Sequence, residues 1–337
     1  MRETVMSVSS TLGRTRVQSG AGAPAGAKPR SLRKLLAKIW FYRAIYLLML
    51  PGLLCILVFS YVPMWGVIIA FMDYRPWLGL RGSPWVGFAN FALFFNSPYF
   101  VRLMRNTLLI SLLNLAFVFP APILLAMLLN EVNERRHNWY KRVIQTISYY
   151  PHFISWVVVG GILIYMFSVN VGLLSRVMTS LGLEPVTILG TKRTFLPLLV
   201  GSQIWKSVGW GAIIYLAAIA GINPELYEAA IVDGANRLQR ALFVTLPSVA
   251  PVIIIMLILN IGSILNVNFQ QILVLMGNNA ALYEVGDVID TWVYRVAFFQ
   301  QQMGLGTAVG LFKGVVGLIL VWAANRIANR VSEGGLW

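Results

Sequence analysis

The chain alternates between long, unbroken apolar runs and short polar stretches. Six runs approach or exceed the 17–25 residues that carry a helix across a bilayer. They predict spans over roughly 44–71, 106–129, 153–169, 196–220, 248–268 and 305–324. Within them the apolar residues are continuous and do not alternate with period two, so they read as helices and not as strands of a membrane barrel. The fold class is therefore an all-α membrane protein with six transmembrane helices. Pro51 and Pro63 interrupt the first run, and Pro120 and Pro122 the second, which predicts kinks.

The segments between spans differ in character. Residues 72–105 carry Trp77, Trp85, Phe88, Phe91 and Tyr99, and read as a helix or loop at the membrane interface. Residues 130–150 are polar and basic, and 170–195 form a mixed loop. Residues 276–303 read as a polar segment whose acids, Glu284, Asp287 and Asp290, either face an extracytoplasmic partner or are solvated. Residues 1–38 are rich in Gly, Ala, Ser and Pro, and predict a disordered basic tail followed by an amphipathic helix from about Ser31. Residues 39–330 form the membrane domain and 331–337 a short tail. The basic stretch is too long for a signal peptide, and no small-residue cleavage site follows the apolar run.

Composition sharpens this picture. Hydrophobic residues make up 58% of the 337, and charged residues only 12%. The net charge of +15 reflects where Lys and Arg collect. With six spans both termini share a side, and that side holds 17 of the basic residues against 8 on the other. The bias predicts cytoplasmic termini. Nucleic acid is not an expected partner, because no basic helix with interleaved aromatics occurs. Cys55 is the one cysteine, and His137 and His152 stand apart, so no disulfide within the chain and no metal site is expected.

A long polar stretch at 227–247, YEAAIVDGANRLQRALFVTLP, separates two strongly apolar runs in the second half. Glu228, Asp233, Arg237 and Arg240 are too costly to leave unpaired in hydrocarbon, so the stretch lies outside it, on the cytoplasmic side. It predicts two short helices joined at Gly234, with Pro247 permitting a fresh start for the next span. Such a surface feature is a handle for a soluble partner. The chain has no phosphate-binding loop of the form G-x-x-x-x-G-K-[ST] and no catalytic constellation. The predicted spans also lack Asp and Glu, which argues against an ion-driven carrier and for an external motor.

The same stretch resembles the EAA loop of importer permeases of the ATP-binding cassette (ABC) superfamily. Glu228-Ala229-Ala230, Gly234 and Leu246-Pro247 match that pattern in spacing, and Asp233-Gly234-Ala235 is the variant of the sugar-importer branch. YVPMWGVIIAFMDY, WVGFANF and Asn106-Thr107 are similar to permeases for poly- and oligosaccharides of the alginate or aldouronate type. The resemblance implies an ABC importer type I permease fold in a bacterial inner membrane, with a cytoplasmic coupling helix. It implies a non-catalytic subunit that binds no cofactor itself. Its partners would be two ATPase subunits using ATP and Mg, a second and different permease chain, and an extracytoplasmic binding protein that delivers an oligosaccharide. A permease for another solute and an ion-driven carrier are the alternatives. By the resemblance, Glu228, Ala229, Ala230, Asp233, Gly234, Ala235, Leu246 and Pro247 couple to the ATPase.

Polar residues inside spans are the candidates for a cargo path. Ser202, Gln203, Lys206 and Trp210 fall within about 100° of one helical face. Asn260, Ser263, Gln270 and Gln271 do the same if the fifth helix continues that far. Amides suit hydroxyls, Trp suits a sugar face, and Lys206 suits either an acidic sugar or a neighbouring acid or carbonyl. The same residues also serve to bond neighbouring helices, at about 0.6 kcal/mol each. In the sixth span Gly306, Gly310, Gly314 and Gly317 share a face that predicts close helix packing, with Lys313 directed to the bundle interior.

Overall fold

The computed structural model describes residues 38, 40–132, 134–168, 172–277 and 279–331. The predicted amphipathic helix at Ser31 and nearly all of both tails lie outside these residues. Helices dominate, and among the described residues the sole β pairing is one isolated bridge, Met72 with Trp85. Among the described residues, four helices are long and apolar enough to cross a membrane: Arg43–Phe71, Phe100–Asn130, Arg237–Gly262 and Met303–Arg330. Two bent pairs bring the number to six if each counts as one span.

The chain forms two compact units, Met1–Met64 and Trp65–Trp337. In the first, helix α1 (Arg43–Ile56) contains Pro51 and buries none of its side chains within the unit. Its exposed Leu47 and Leu48, and Phe59 just beyond it, form a surface suited to lipid.

In the second unit, α2 (Phe100–Leu113) continues through a π-turn at Asn114–Val118 into α3 (Pro120–Asn130). A π-turn reroutes backbone bonds where proline withholds its N–H, here just ahead of Pro120. The helix begins six residues before the predicted span because Arg102 and Arg105 find partners and need not stay in water: Arg102 meets Asp287, and Arg105 bonds the Asn106 side chain and the Glu284 carbonyl.

The polar, basic segment at 130–150 is not a loop between spans but helix α4 (Glu134–Tyr149). Its Lys141, Ile144, Gln145, Ser148 and Tyr149 are half-buried, a stripe with helical spacing that the high charge content masks. The third span differs correspondingly. Helix α5 (Trp156–Phe167) has 12 residues, about 18 Å, and is bent 105° from the Trp139–Phe153 helix.

Helix α6 (Lys192–Ala220) is the longest in the centre, and α7 (Pro224–Val232) leaves it at 76°. Gly209 lets α4 approach α6, since a Cβ there would sit 2.2 Å from the Ser148 carbonyl oxygen. Helix α8 (Leu246–Gly262) ends six residues before the predicted boundary, at Asn268, and Phe269–Met276 forms a separate helix, α9. The last helix is α10 (Met303–Val331). Of its glycine face, Gly317 packs against the Gly262 carbonyl and Gly306 against Ala297, while Gly310 and Gly314 face open space.

Three apolar clusters hold this unit together. Ile123, Ala126, Ala212, Tyr215, Ile219 and Val249 lock α3, α6 and α8. Ile110, Leu199, Ile272 and Leu275 lock α2, α6 and α9. Phe94, Leu103, Trp292, Leu305 and Val309 gather the 89–95 helix, α2, the short helix Ile289–Tyr294 and α10.

Candidate functional site

Two regions carry chemistry. The first is the surface elbow between α6 and α8. Asn223 caps α7, its side chain accepting from the Glu225 N–H at 3.1 Å, and Pro224 takes the first helical position, where no N–H is needed. The helix closes in a Schellman turn: Ala235 N–H donates to Ala230 O at 2.9 Å and Gly234 N–H to Ile231 O at 3.0 Å. That turn puts Gly234 at φ +79°, a conformation glycine adopts at no steric cost. Asn236 and Gln239 then form a reciprocal capping box.

The second short helix, Arg237–Arg240, does not stop at Pro247. It runs through a π-turn at Ala241–Thr245 straight into α8, so Pro247 lies inside one continuous helix. The π-turn removes the demand for the N–H that Pro247 lacks. Tyr227 and Thr245 share a hydrogen bond of 2.8 Å that pins the elbow.

Glu228, Ala229, Asp233, Gly234 and Pro247 are exposed, and Ala230, Ala235 and Leu246 half-buried. Neither Glu228 nor Asp233 makes an ion pair with a described residue. Apolar side chains surround them, with Val232 87% and Phe243 75% exposed. A groove of about 260 Å³ runs between Ala230, Asp233, Gly234, Ala235, Arg240 and Phe243.

The second region is interior. A cavity of about 370 Å³ is lined by Gln203, Ser207, Trp210 and Tyr215 from α6, Asn114 from the π-turn, Asn260 from α8, and Asn266 and Asn268. No charged side chain lines it. Asn114 Oδ1 and Gln203 Oε1 are buried without a hydrogen-bond partner among the described residues. Ser263 joins Asn260, Asn114 and Ser111 around an adjoining cavity of about 90 Å³. Of the sequence candidates, Gln203, Trp210, Asn260 and Ser263 thus converge. Asn114, Ser207, Asn266 and Asn268 join them unforeseen; a polar residue such as Asn114 within an apolar run was the available signal.

Lys206, Gln270 and Gln271 lie elsewhere. Lys206 is buried, and its ammonium donates to the carbonyls of His152 (2.6 Å) and Pro151 (3.3 Å) and lies 5.5 Å from the Trp156 ring centre. It caps the break before α5, where helix carbonyls are left without partners. Because α8 stops at Gly262, Gln270 and Gln271 belong to α9 and share no face with Asn260 and Ser263. Gln271 is buried and donates to Leu199 O (2.7 Å) and Ser202 Oγ (3.0 Å), so both it and Ser202 bond helices together. Gln270 is exposed and lines neither cavity.

All three acids of 276–303 are paired, and of them only Glu284 is exposed. Asp287 is fully buried, held by Arg295 (2.7 Å), Arg102 (3.4 Å) and Thr291 (2.8 Å). Asp290 pairs with Lys313, and Glu284 with Lys192. The Lys192 ammonium beside Glu284 holds its carboxyl below the usual carboxylate range.

Apolar helices of membrane-spanning length, an exposed elbow and a polar, uncharged interior cavity fit a membrane transport component. The chain belongs to the family of binding-protein-dependent transport system inner membrane components, whose model matches residues 119–333. As such it is the membrane-embedded, non-catalytic part of a transport system. It is 48% identical to Protein LplB of Bacillus subtilis (strain 168) over 87% of this chain and 91% of that one. It is 44% identical to the polygalacturonan/rhamnogalacturonan transport system permease protein YteP of the same organism, over 92% and 95%. Among solved structures it is similar to a chain of a bacterial alginate ABC transporter in complex with an alginate pentasaccharide-bound periplasmic protein. That match has a TM-score of 0.79 at 38% identity and covers 90% of this chain and 100% of that chain.

Proposed function

We propose that this permease subunit moves a poly- or oligosaccharide inward through an ATP-driven importer, after delivery by an extracytoplasmic binding protein. The observation that carries this reading is the interior cavity, in which amides, hydroxyls and one indole meet without a charged group. Such a lining exchanges hydrogen bonds with sugar hydroxyls and offers Trp210 to a pyranose face. The cargos named for the relatives, polygalacturonan and alginate, support the same reading.

The elbow at 227–247 supplies the coupling. Glu228, Ala229, Ala230, Asp233, Gly234, Ala235, Leu246 and Pro247 dock on an ATPase subunit, which holds ATP and Mg. The exposed acids Glu228 and Asp233 and the exposed Val232 and Phe243 give that surface both charge and apolar area to bury. A second, different permease chain completes the path, and the basic bias puts both termini in the cytoplasm.

Reconstitution of the chain with its partner permease, ATPase and binding protein in vesicles tests this. Oligosaccharide uptake that requires both ATP and the binding protein is expected. Uptake of a non-sugar solute alone, or uptake that persists without ATP, would overturn it.

A further inference from the structure

One further cavity lies outside the path described above. It has about 360 Å³ and sits where the residues after Phe71 meet the start of α10. It lies in the connection between the fifth and sixth spans, so by the count of spans it is on the side opposite the 227–247 elbow. Its floor is fixed: Asn90 donates to the carbonyls of Ala70 (2.9 Å) and Met72 (3.0 Å), and a Cβ on Gly304 would come within 2.4 Å of the Met72 oxygen.

Its rim carries three consecutive amides, Gln300, Gln301 and Gln302, together with Trp77 and the Asp73–Arg75 pair. None of the three glutamine side chains bonds to another described residue, and all three are exposed. Trp77 is 70% exposed. Gln301 has φ +55°, the one positive value outside glycine among the described residues, in a region L side chains seldom adopt. Strain of this kind persists where surrounding structure holds it. The cation of the site, Arg75, is already paired with Asp73 at 3.0 Å, so the lining offers no free charge for a phosphate or carboxylate.

Free amides beside an open indole, in a cavity of ligand size and without net charge, match the chemistry of a sugar ring. We propose that this cavity is a second glycan site, which holds one pyranose unit of the cargo on the extracytoplasmic side. The Trp77 indole covers the ring face and the glutamine amides exchange hydrogen bonds with hydroxyls. The proposal rests on the saccharide reading given above. It predicts that a chain long enough to reach both this site and the interior cavity gains from it, while a disaccharide does not.

The test uses the fully assembled transporter with Trp77→Ala and, separately, Gln301→Gly. The second variant removes the amide and leaves a residue that takes positive φ readily, so its fold is not at risk. Uptake is measured for a disaccharide and a longer member of one glycan series. The KM for the longer glycan is expected to rise about fivefold, as for one lost stacking or amide contact, with the disaccharide unchanged. No change at either length would make Trp77 an interfacial anchor and overturn the proposal. An equal loss at both lengths would assign the surface to docking of the delivering protein and also overturn it. A wild-type transporter that moves neither glycan, yet moves another solute, removes the saccharide reading and this site with it.

Discussion

The Lys206 ammonium donates to the main-chain carbonyl of His152 at 2.6 Å, and the His152 ring lies on Trp210, planes 5° apart and centres 4.5 Å apart. A buried cation thus fixes the helix break before α5, and the break in turn backs the indole that faces the cavity. Lys206→Met leaves two carbonyls without their donor and is expected to cost about 1.5–3 kcal/mol, the range for a hydrogen bond to a charged group. Thermal unfolding in detergent reads this as a lower midpoint. Discrimination between acidic and neutral cargo stays unchanged, because Lys206 does not line the cavity; a selective loss of acidic cargo would return Lys206 to the path.

Gly234 and Glu228 carry the coupling prediction. Gly234→Pro cannot adopt φ +79° and breaks the Schellman turn, and Glu228→Arg reverses the charge of an exposed acid that makes no ion pair with a described residue. In either variant the stimulation of ATPase activity by loaded binding protein is expected to fall by an order of magnitude or more, or the complex to come apart on purification. Wild-type stimulation in both would remove the elbow from the coupling path.

Lys313 and Asp290 pair inside the bundle, with Lys313 only 8% exposed. Removing one partner strands a charge at a cost of about 3–5 kcal/mol, whereas removing both costs much less. Lys313→Met and Asp290→Asn should each lower folded yield more than the double variant does. Additive losses in that cycle would show that the two groups act separately.

Glu284 gives a pH prediction. Lys192 lowers its folded pKa, so its stabilising contribution is complete above the ordinary carboxylate range and is lost as pH falls through the folded value. The difference in unfolding midpoint between wild type and Glu284→Gln should therefore be present at neutral pH and close on acidification. A difference that widens as pH falls would contradict the assigned pair.

The sequence made the spans and the elbow legible because both are local. Apolar runs announce helices, and the Asp233-Gly234-Ala235 turn encodes its own left-handed residue. The exact course of α8 was less legible. Pro247 suggested a fresh start, yet a π-turn absorbs it, and Ser263–Asn268 ends the helix through side chains that an apolar pattern does not weigh: Asn268 caps α9, accepting from the Gln271 N–H. Pairing over distance was not legible at all. Asp287 and Arg102 lie 185 residues apart, so the sequence offers Asp287 only an outside partner or solvent, whereas the fold brings a guanidinium to it. Likewise the charge on α4 hid its half-buried stripe, and Lys206 resembled a cargo contact because its carbonyl partners are more than 50 residues away.

Occupation of the cavity at Asn260 is the central claim, and the single cysteine of the chain makes it measurable. Asn260→Cys in a Cys55→Ala background places one thiol on the cavity wall, open to a water-soluble maleimide. With ATPase and partner permease assembled, sugar-loaded binding protein and ATP are predicted to slow labelling at position 260, while sugar-free binding protein and ATP are not. Equal labelling rates in the two conditions would contradict passage of the oligosaccharide through this cavity.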